Sequence, residues 1–338
     1  MKIVSKYVIC FFALIIYYPG FLLAQFSPNN LPLSVLEIIK TFQTNPTSEN
    51  LLEVRKIGFS LLSEGKFAEA EIVFNQILAK SPNDGFSLYG KAVSLFNTKQ
   101  LAAAEIEVAK ANSIFAQQKN SASLADGLVL SAVISAVSGD NAAAVEKLKQ
   151  AIVLVPTHFD ANFSLGRAYF GSGDLINAIA VFRVALSQQP QNIKANFFLA
   201  TSLERNGDTN AALNAYRELI KIAPNVAEGY LGLGVLLVKT ESATSSEGVK
   251  SLQKAVAINP NLYEAQVTLG KVFLQQSKLD EALIHLQKAV KLLPDNPEPH
   301  YQLLQVFRRL GNKSEVEAEL SIIKKIHEKH RGSSSKPR

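Results

Sequence analysis

The feature that most constrains this chain is a set of prolines that recur at an almost constant interval. Successive gaps between them are 74, 34, 34, 36 and 34 residues, and they lie at Pro82, Pro156, Pro190, Pro224, Pro260 and Pro294. Between these prolines the same order of small and large apolar residues returns. A period of this length predicts an array of stacked structural repeats and not a single globular core.

The spacing within one repeat has a physical explanation. Gly166 and Ala178 lack bulk, so the pattern predicts two helices that approach closely at these residues. Gly173 tolerates the positive φ of a helix C-terminus, and Asp174 is a favourable N-cap for the helix that follows. Pro190 ends the second helix. Each repeat is therefore predicted to be a helix pair that must stack on its neighbours to bury its apolar surface.

Small residues occupy both of these positions in seven consecutive repeats. On the first helix they are Gly58, Ala92, Ala132, Gly166, Ala200, Gly234 and Gly270, and on the second Ala70, Ala104, Ala144, Ala178, Ala212, Gly248 and Ala282. With the closing prolines, this pattern resembles the tetratricopeptide repeat over residues 51–328. The resemblance implies an all-α fold, a right-handed superhelical α-solenoid of about eight stacked helix-turn-helix repeats.

Shorter segments flank the predicted array. Residues 25–50 are predicted to cap its open end with an amphipathic helix between Pro32 and Asn45. Residues 329–338 are predicted to form a disordered basic tail. Inside the array, residues 119–124 are an insertion that lengthens either a helix or a loop.

The N-terminus has the organisation of a signal peptide. Lys2 and Lys6 precede an uncharged apolar run, and residues 1–24 end in a candidate cleavage junction before Gln25. We therefore expect a periplasmic or secreted protein. The alternative is a membrane anchor formed by residues 7–23, which is shorter than the roughly 20 apolar residues of a membrane-spanning helix. Cys10 is the only cysteine, so a processed chain has no disulfide.

Charge argues against a nucleic-acid ligand. The chain carries a net charge of +6, but residues 25–307 sum to −1 and the excess lies near the two ends. A nucleic-acid-binding face is normally basic along its length. We therefore expect other proteins or peptides as partners, and a membrane only if the signal segment is retained.

The resemblance also implies where a ligand binds. In proteins of this kind the first helices line a concave groove, and the corresponding candidates here are Tyr89, Phe163, Arg167, Phe197, Arg205 and Lys271. The three aromatic residues are expected to take up apolar side chains, and the three cations to meet acidic groups. The alternative is that the aromatic rings pack against neighbouring helices and contact no ligand.

The expected function is therefore a protein-protein interaction scaffold or adaptor. Two alternatives are recognition of a glycan or other cell-envelope ligand by the aromatic groove, and an accessory role that regulates a separate enzyme. Catalysis, cofactors and metals are not expected, because the repeats occupy the folded length and nucleophile or phosphate-binding motifs are missing. His327 and His330 share one helical face, but the sequence supplies no evident third ligand for a metal.

Overall fold

The computed structural model describes residues 31–242 and 245–334, with side chains as far as residue 330. The described part contains seventeen helices and no strand, which confirms the predicted all-α helical-repeat solenoid. The chain divides into an N-terminal unit, residues 1–189, and a C-terminal unit, residues 190–338. The predicted signal peptide, residues 1–24, lies outside the described residues.

The N-terminal unit holds a leading helix and four helix pairs. Its helices are α1 Leu33–Thr44, α2 Ser48–Ser63, α3 Phe67–Leu78, α4 Gly85–Asn97, α5 Leu101–Gln117, α6 Ser121–Val137, α7 Asn141–Leu154, α8 Phe159–Ser172 and α9 Leu175–Gln188. The first helices of the pairs are α2, α4, α6 and α8, and within this unit consecutive first helices also contact one another. They therefore form a layer of their own, beside the layer of second helices.

The C-terminal unit holds four more pairs. Its helices are α10 Ile193–Asn206, α11 Thr209–Ile222, α12 Ala227–Glu241, α13 Ser246–Ile258, α14 Tyr263–Gln275, α15 Leu279–Leu292, α16 Pro297–Leu310 and α17 Lys313–Ser334. Here the first helices are α10, α12, α14 and α16, and consecutive ones again touch. Among the helices of the described residues, none is both long enough and apolar enough to span a membrane.

The small residues of the repeat do what their spacing predicts. All fourteen are buried. Four residues after each small residue of a second helix comes a larger buried side chain, such as Phe74 or Phe182. A Cβ built on Gly166 would lie 2.6 Å from the ring of Phe182, and one on Gly58 would lie 2.6 Å from that of Phe74. The missing side chain therefore makes room for the ring that joins the two helices.

The turn inside seven of the eight helix pairs contains a residue in the left-handed conformation. Glycine supplies it in five pairs, with φ between +75° and +92° at Gly65, Gly139, Gly173, Gly207 and Gly311. Lys99 and Ser277 hold the equivalent turns at φ 65° and 59°. Because a Cβ makes this conformation unfavourable, these two turns carry backbone strain.

We expect Lys99→Gly and Ser277→Gly each to raise the free energy of unfolding by about 1 kcal/mol, since glycine adopts a positive φ without that penalty. Chemical denaturation followed by circular dichroism measures the change. Gly207→Ala, at φ 89° with nothing within 4 Å, is the matched reverse substitution and should lower stability. Unchanged or lower stability in both glycine variants would contradict the strain.

Polar residues at the fourth position of several first helices form hydrogen bonds to the backbone at the end of the preceding repeat. The side-chain amide of Asn162 donates to the carbonyl of Pro156 at 2.9 Å, and Asn196 and Gln266 do the same for Pro190 and Pro260. Each acceptor is the proline six residues earlier. Buried carbonyls at a helix end need such a donor. These side chains therefore satisfy backbone groups at the junctions between repeats.

Three segments at the ends of the array and at the insertion add detail to the sequence prediction. The α1 helix covers the first pair, burying Ile39 and Phe42 against it. The insertion at 119–124 lengthens helices and not a loop, since α5 and α6 have 17 residues each. Finally, α17 continues to Ser334, inside residues 329–338, the segment predicted as a disordered basic tail.

Candidate functional site

The first helices of the N-terminal unit present an open surface, which we call the first-helix face. Its members are Tyr89 and Val93 on α4, Asp126, Val129, Val133 and Val137 on α6, and Asp160 in the first turn of α8. The valines of α6 are spaced four residues apart, so they form one stripe along the helix. Val137 is 45% exposed, and the other apolar members are half-buried. The face is therefore apolar along its centre and acidic at one edge.

Tyr89 lies beside both carboxylates at this edge. Burial, and then the negative charges of Asp126 and Asp160, raise the pKa of Tyr89 to about 12. Burial also raises the pKa of Asp160, with a further contribution from the charge of Asp126 and an opposing one from His158. Three first helices thus bring a phenol and two carboxylates together.

His158 joins the acidic edge from the turn before α8. The backbone N–H of Ala161 donates to its Nδ1 at 3.2 Å, so the neutral ring carries its proton on Nε2. That nitrogen donates to Asp126 Oδ1 at 2.9 Å. The imidazole therefore caps α8 and holds one carboxylate in place.

The pKa of His158 is raised, first by the hydrogen bond to Asp126, with burial opposing it. We expect Asp126→Asn to lower this pKa, measured by NMR titration of the imidazole. A raised folded-state pKa contributes stability that is complete below the ordinary value near 6.5 and is lost as pH rises through the folded-state value. The wild type should therefore lose more stability than Asp126→Asn across that window. A pKa unaffected by the substitution would contradict this assignment.

Phe163 and Arg167 occupy α8 on the same side of the unit. Phe163 is only 9% exposed, stacks on Phe159 at a centroid distance of 5.6 Å and meets Phe182 at 6.0 Å. The guanidinium of Arg167 lies 6.0 Å from the Phe163 ring centroid, and burial lowers its pKa. Packing against neighbouring side chains, the alternative interpretation of the aromatic residues, therefore describes Phe163 better than contact with a ligand.

The other three predicted residues lie in the C-terminal unit. Phe197 is half-buried, edge-on to Phe198 at 5.8 Å, and Arg205 is exposed. Lys271 forms an ion pair with Glu298 of α16. Its charge is therefore already offset by a carboxylate of this chain, which differs from the expected contact with an acidic ligand.

Acidic residues also crowd one another in the C-terminal unit. Burial, followed by the charges of Glu204 and Glu298, raises the pKa of Glu264. The hydroxyl of Tyr216 donates to Glu204 Oε2 at 2.5 Å, and burial raises the pKa of that phenol. Both units thus place carboxylates near a tyrosine of the array.

The structure adds residues that the sequence interpretation missed. One position of the sequence repeat, six residues before the small residue of the first helix, is acidic at Asp126, Asp160, Glu228 and Glu264, and Glu298 is its equivalent in the last repeat. This row of equivalent acidic residues becomes evident when the repeat sequences are aligned with one another. All of them except Asp126 lie in the first turn of their helices, where a carboxylate stabilises the helix dipole, so the row alone does not identify a binding surface. Its proximity to Tyr89 becomes visible only in three dimensions.

The structure gives no support for a metal site. Across residues 31–242 and 245–334, the His, Cys, Asp and Glu side chains form no group of three or more arranged to hold a metal ion. His327 instead faces another residue, its Nε2 lying 2.7 Å from the Tyr301 hydroxyl.

Comparison with known families supports a tetratricopeptide-repeat protein. Residues 136–193 and 170–233 match two models described as tetratricopeptide repeat, and residues 270–311 match one described as TPR repeat. These segments cover parts of the third to eighth repeats. No curated protein matches the chain in sequence.

Solved structures share the fold at low sequence identity. The C-terminal part of a TPR repeat-containing protein from Cytophaga hutchinsonii is 17% identical, with 74% of this chain and 99% of that chain covered and a TM-score of 0.60. The Cut9–Hcn1 hetero-tetramer of the APC/C is 13% identical, with 80% of this chain and 52% of that chain covered and a TM-score of 0.52. PilF from Pseudomonas aeruginosa is 13% identical, with 58% of this chain and 88% of that chain covered and a TM-score of 0.50. These similarities concern the fold alone.

Proposed function

We propose that the protein is a non-catalytic scaffold or adaptor that holds a segment of a partner protein on the first-helix face of its N-terminal unit. The observation that carries this proposal is the valine stripe of α6, ending in Val137 at 45% exposure, beside a polar edge of Tyr89, Asp126 and Asp160. An exposed apolar surface bordered by polar groups is typical of an interaction site. Folds of this kind hold partners by such surfaces and do not in general catalyse reactions.

A protein ligand has more support than a glycan. Saccharide recognition needs aromatic rings whose faces are open for stacking. Phe163 is enclosed by Phe159 and Phe182, and Phe197 is half-buried beside Phe198. The open part of the face is aliphatic, which suits the side chains of a polypeptide.

The proposal is tested by panning a library of short displayed peptides against the full chain. Val133→Asn removes apolar surface from the centre of the face without adding charge. Val153→Asn is the matched control, because Val153 is 81% exposed on α7, a second helix. We expect the selected peptides to bind the control as tightly as the wild type and the Val133 variant about tenfold more weakly, or about 1.4 kcal/mol. Equal binding to both variants would refute the site.

We further propose that the protein is exported by its N-terminal segment. Support comes from Lys2, Lys6 and the apolar run that follows them. N-terminal sequencing of the product from its native host should find a chain that begins near Gln25. An intact chain recovered with the membrane fraction would instead support an anchor at residues 7–23.

A further inference from the structure

We propose that the first-helix face selects a partner segment carrying a lysine or arginine flanked by apolar side chains, with the cationic group placed between Tyr89, Asp126 and Asp160. This inference rests on the proposed function and specifies the chemistry of the partner. It reverses the expectation from sequence, in which cations of the array meet acidic groups of a ligand.

Two arginines of the N-terminal unit already interact with other side chains of the protein. Arg55 is already paired, with its Nη2 2.5 Å from Asp84 Oδ1. Arg167 lies over the ring of Phe163 and has further interactions within the protein. Asp126 and Asp160 both keep surface open to solvent, and the single imidazole of His158, which contacts Asp126, can balance at most one of the two carboxylates. Negative charge at this edge is therefore incompletely balanced.

The acidic edge keeps hydrogen-bond acceptors that the protein itself does not use. Among the described residues, neither the Asp160 carboxylate nor the Tyr89 hydroxyl makes a hydrogen bond to a protein group. Asp126 uses one oxygen for His158. Several acceptor positions at this edge thus remain open to a ligand, and an ammonium or guanidinium offers only donors. Charge-assisted hydrogen bonds of this kind are stronger than neutral ones.

The two carboxylates of the acidic edge repel each other in the free protein. The negative charge of Asp126 contributes to the raised pKa of Asp160, and both charges also act on Tyr89. A bound cation removes that repulsion, so part of its binding free energy comes from relief of an unfavourable interaction. The face is in this way more complementary to a cation than two isolated carboxylates would be.

The apolar side chains of the first-helix face favour a polypeptide over a free cation. Val93, Val129 and Val133 lie next to the acidic edge and are only half-buried. A small ion leaves these side chains in water, whereas a segment with apolar residues beside its cation covers them. Charge complementarity therefore selects the residue at the edge, and the valine stripe selects its neighbours in the partner sequence.

The test starts with peptides selected from the display library on the full chain. We expect enrichment of lysine or arginine next to aliphatic residues, and replacement of the basic residue by norleucine should weaken binding about tenfold. Asp126→Asn and Asp160→Asn should each weaken binding of the basic peptide by a similar factor. Asp174→Asn is the matched control, since it removes a carboxylate from the start of α9 while asparagine remains a good helix cap.

Three outcomes are distinguishable. Basic peptides that lose affinity on Asp126→Asn and Asp160→Asn, and lose it further at high salt, support the inference. Peptides that depend on Val133 but show no basic enrichment, or bind the two asparagine variants unchanged, overturn it and leave the proposed function standing. If no selected peptide depends on Val133, both proposals fail.

Discussion

Replacing Phe74 with alanine should lower the free energy of unfolding of the N-terminal unit by about 3–5 kcal/mol. The side chain is fully buried on α3, and its ring meets that of Phe59 edge-on at a centroid distance of 5.3 Å. Truncation leaves a cavity between α2, α3 and α4, and a stacked array closes such a cavity only by moving whole helices. Urea denaturation followed by the helical circular dichroism signal measures the loss.

The same ring makes a second substitution dependent on the first. A Cβ on Gly90 would lie 2.3 Å from Phe74 Cζ, and one on Gly58 would lie 2.6 Å from Cε1 of the same ring. The ring lies between the two glycines, so it has no room to move away from either. Gly90→Ala alone should therefore cost about 1–3 kcal/mol, despite the better helix propensity of alanine.

In the Phe74→Ala background the sign should reverse. The added methyl group then enters the cavity, and alanine favours the helix by up to about 1 kcal/mol. Gly171→Ala is the control for propensity alone, because a Cβ there meets nothing within 4 Å. Additive effects of Phe74→Ala and Gly90→Ala would show that ring and glycine do not interact as described.

The fold was predictable because its requirements are repeated. A small residue such as Gly166 opposite a ring such as Phe182 satisfies a packing demand that recurs in every pair, so seven copies of the demand appear in the sequence. The turn glycine and the closing proline are backbone demands of the same kind. Because the same packing and turn residues recur in successive repeats, the sequence alone predicts the fold.

The candidate site was less predictable because equivalent positions have unequal surroundings. Tyr89 and Phe163 both occupy the fifth position of a first helix. Phe163 is covered by Phe159, one turn earlier on its own helix, whereas Tyr89 stays half-buried beside Asp126 and Asp160. Whether a groove position is open thus depends on neighbours that differ from repeat to repeat. The periodic pattern carries no information about them.

The role of the buried polar residues at the fourth position of the first helices was also not predictable from the sequence. Asn162 and Asn196 replace a tryptophan common in tetratricopeptide repeats and have no obvious role in the sequence. In the structure they are buried, and each donates to the carbonyl of a proline six residues earlier. An asparagine in sequence predicts a cap or a turn more readily than a buried donor. Its role therefore emerged only from the hydrogen bonds.

The last pair uses a histidine for this purpose and so depends on a second residue. His300 is 3% exposed, with Nε2 3.3 Å from the carbonyl of Pro294 and Nδ1 2.7 Å from Glu319 Oε2 on α17. Glu319→Leu should lower stability by about 3 kcal/mol, because it leaves a buried ring nitrogen without its partner. Glu319→Gln keeps an oxygen acceptor in place and should cost about 1 kcal/mol.

A double substitution separates this explanation from simple loss of packing. Asparagine reaches the proline carbonyl unaided in the fourth and fifth repeats. His300→Asn combined with Glu319→Leu should therefore be more stable than Glu319→Leu alone, since the orphaned nitrogen is gone and the carbonyl keeps a donor. Hydrogen exchange of α16 and α17 locates the effect at the end of the C-terminal unit. If the double variant is the less stable of the two, Glu319 acts through its own packing on α16 and not as the acceptor that His300 requires.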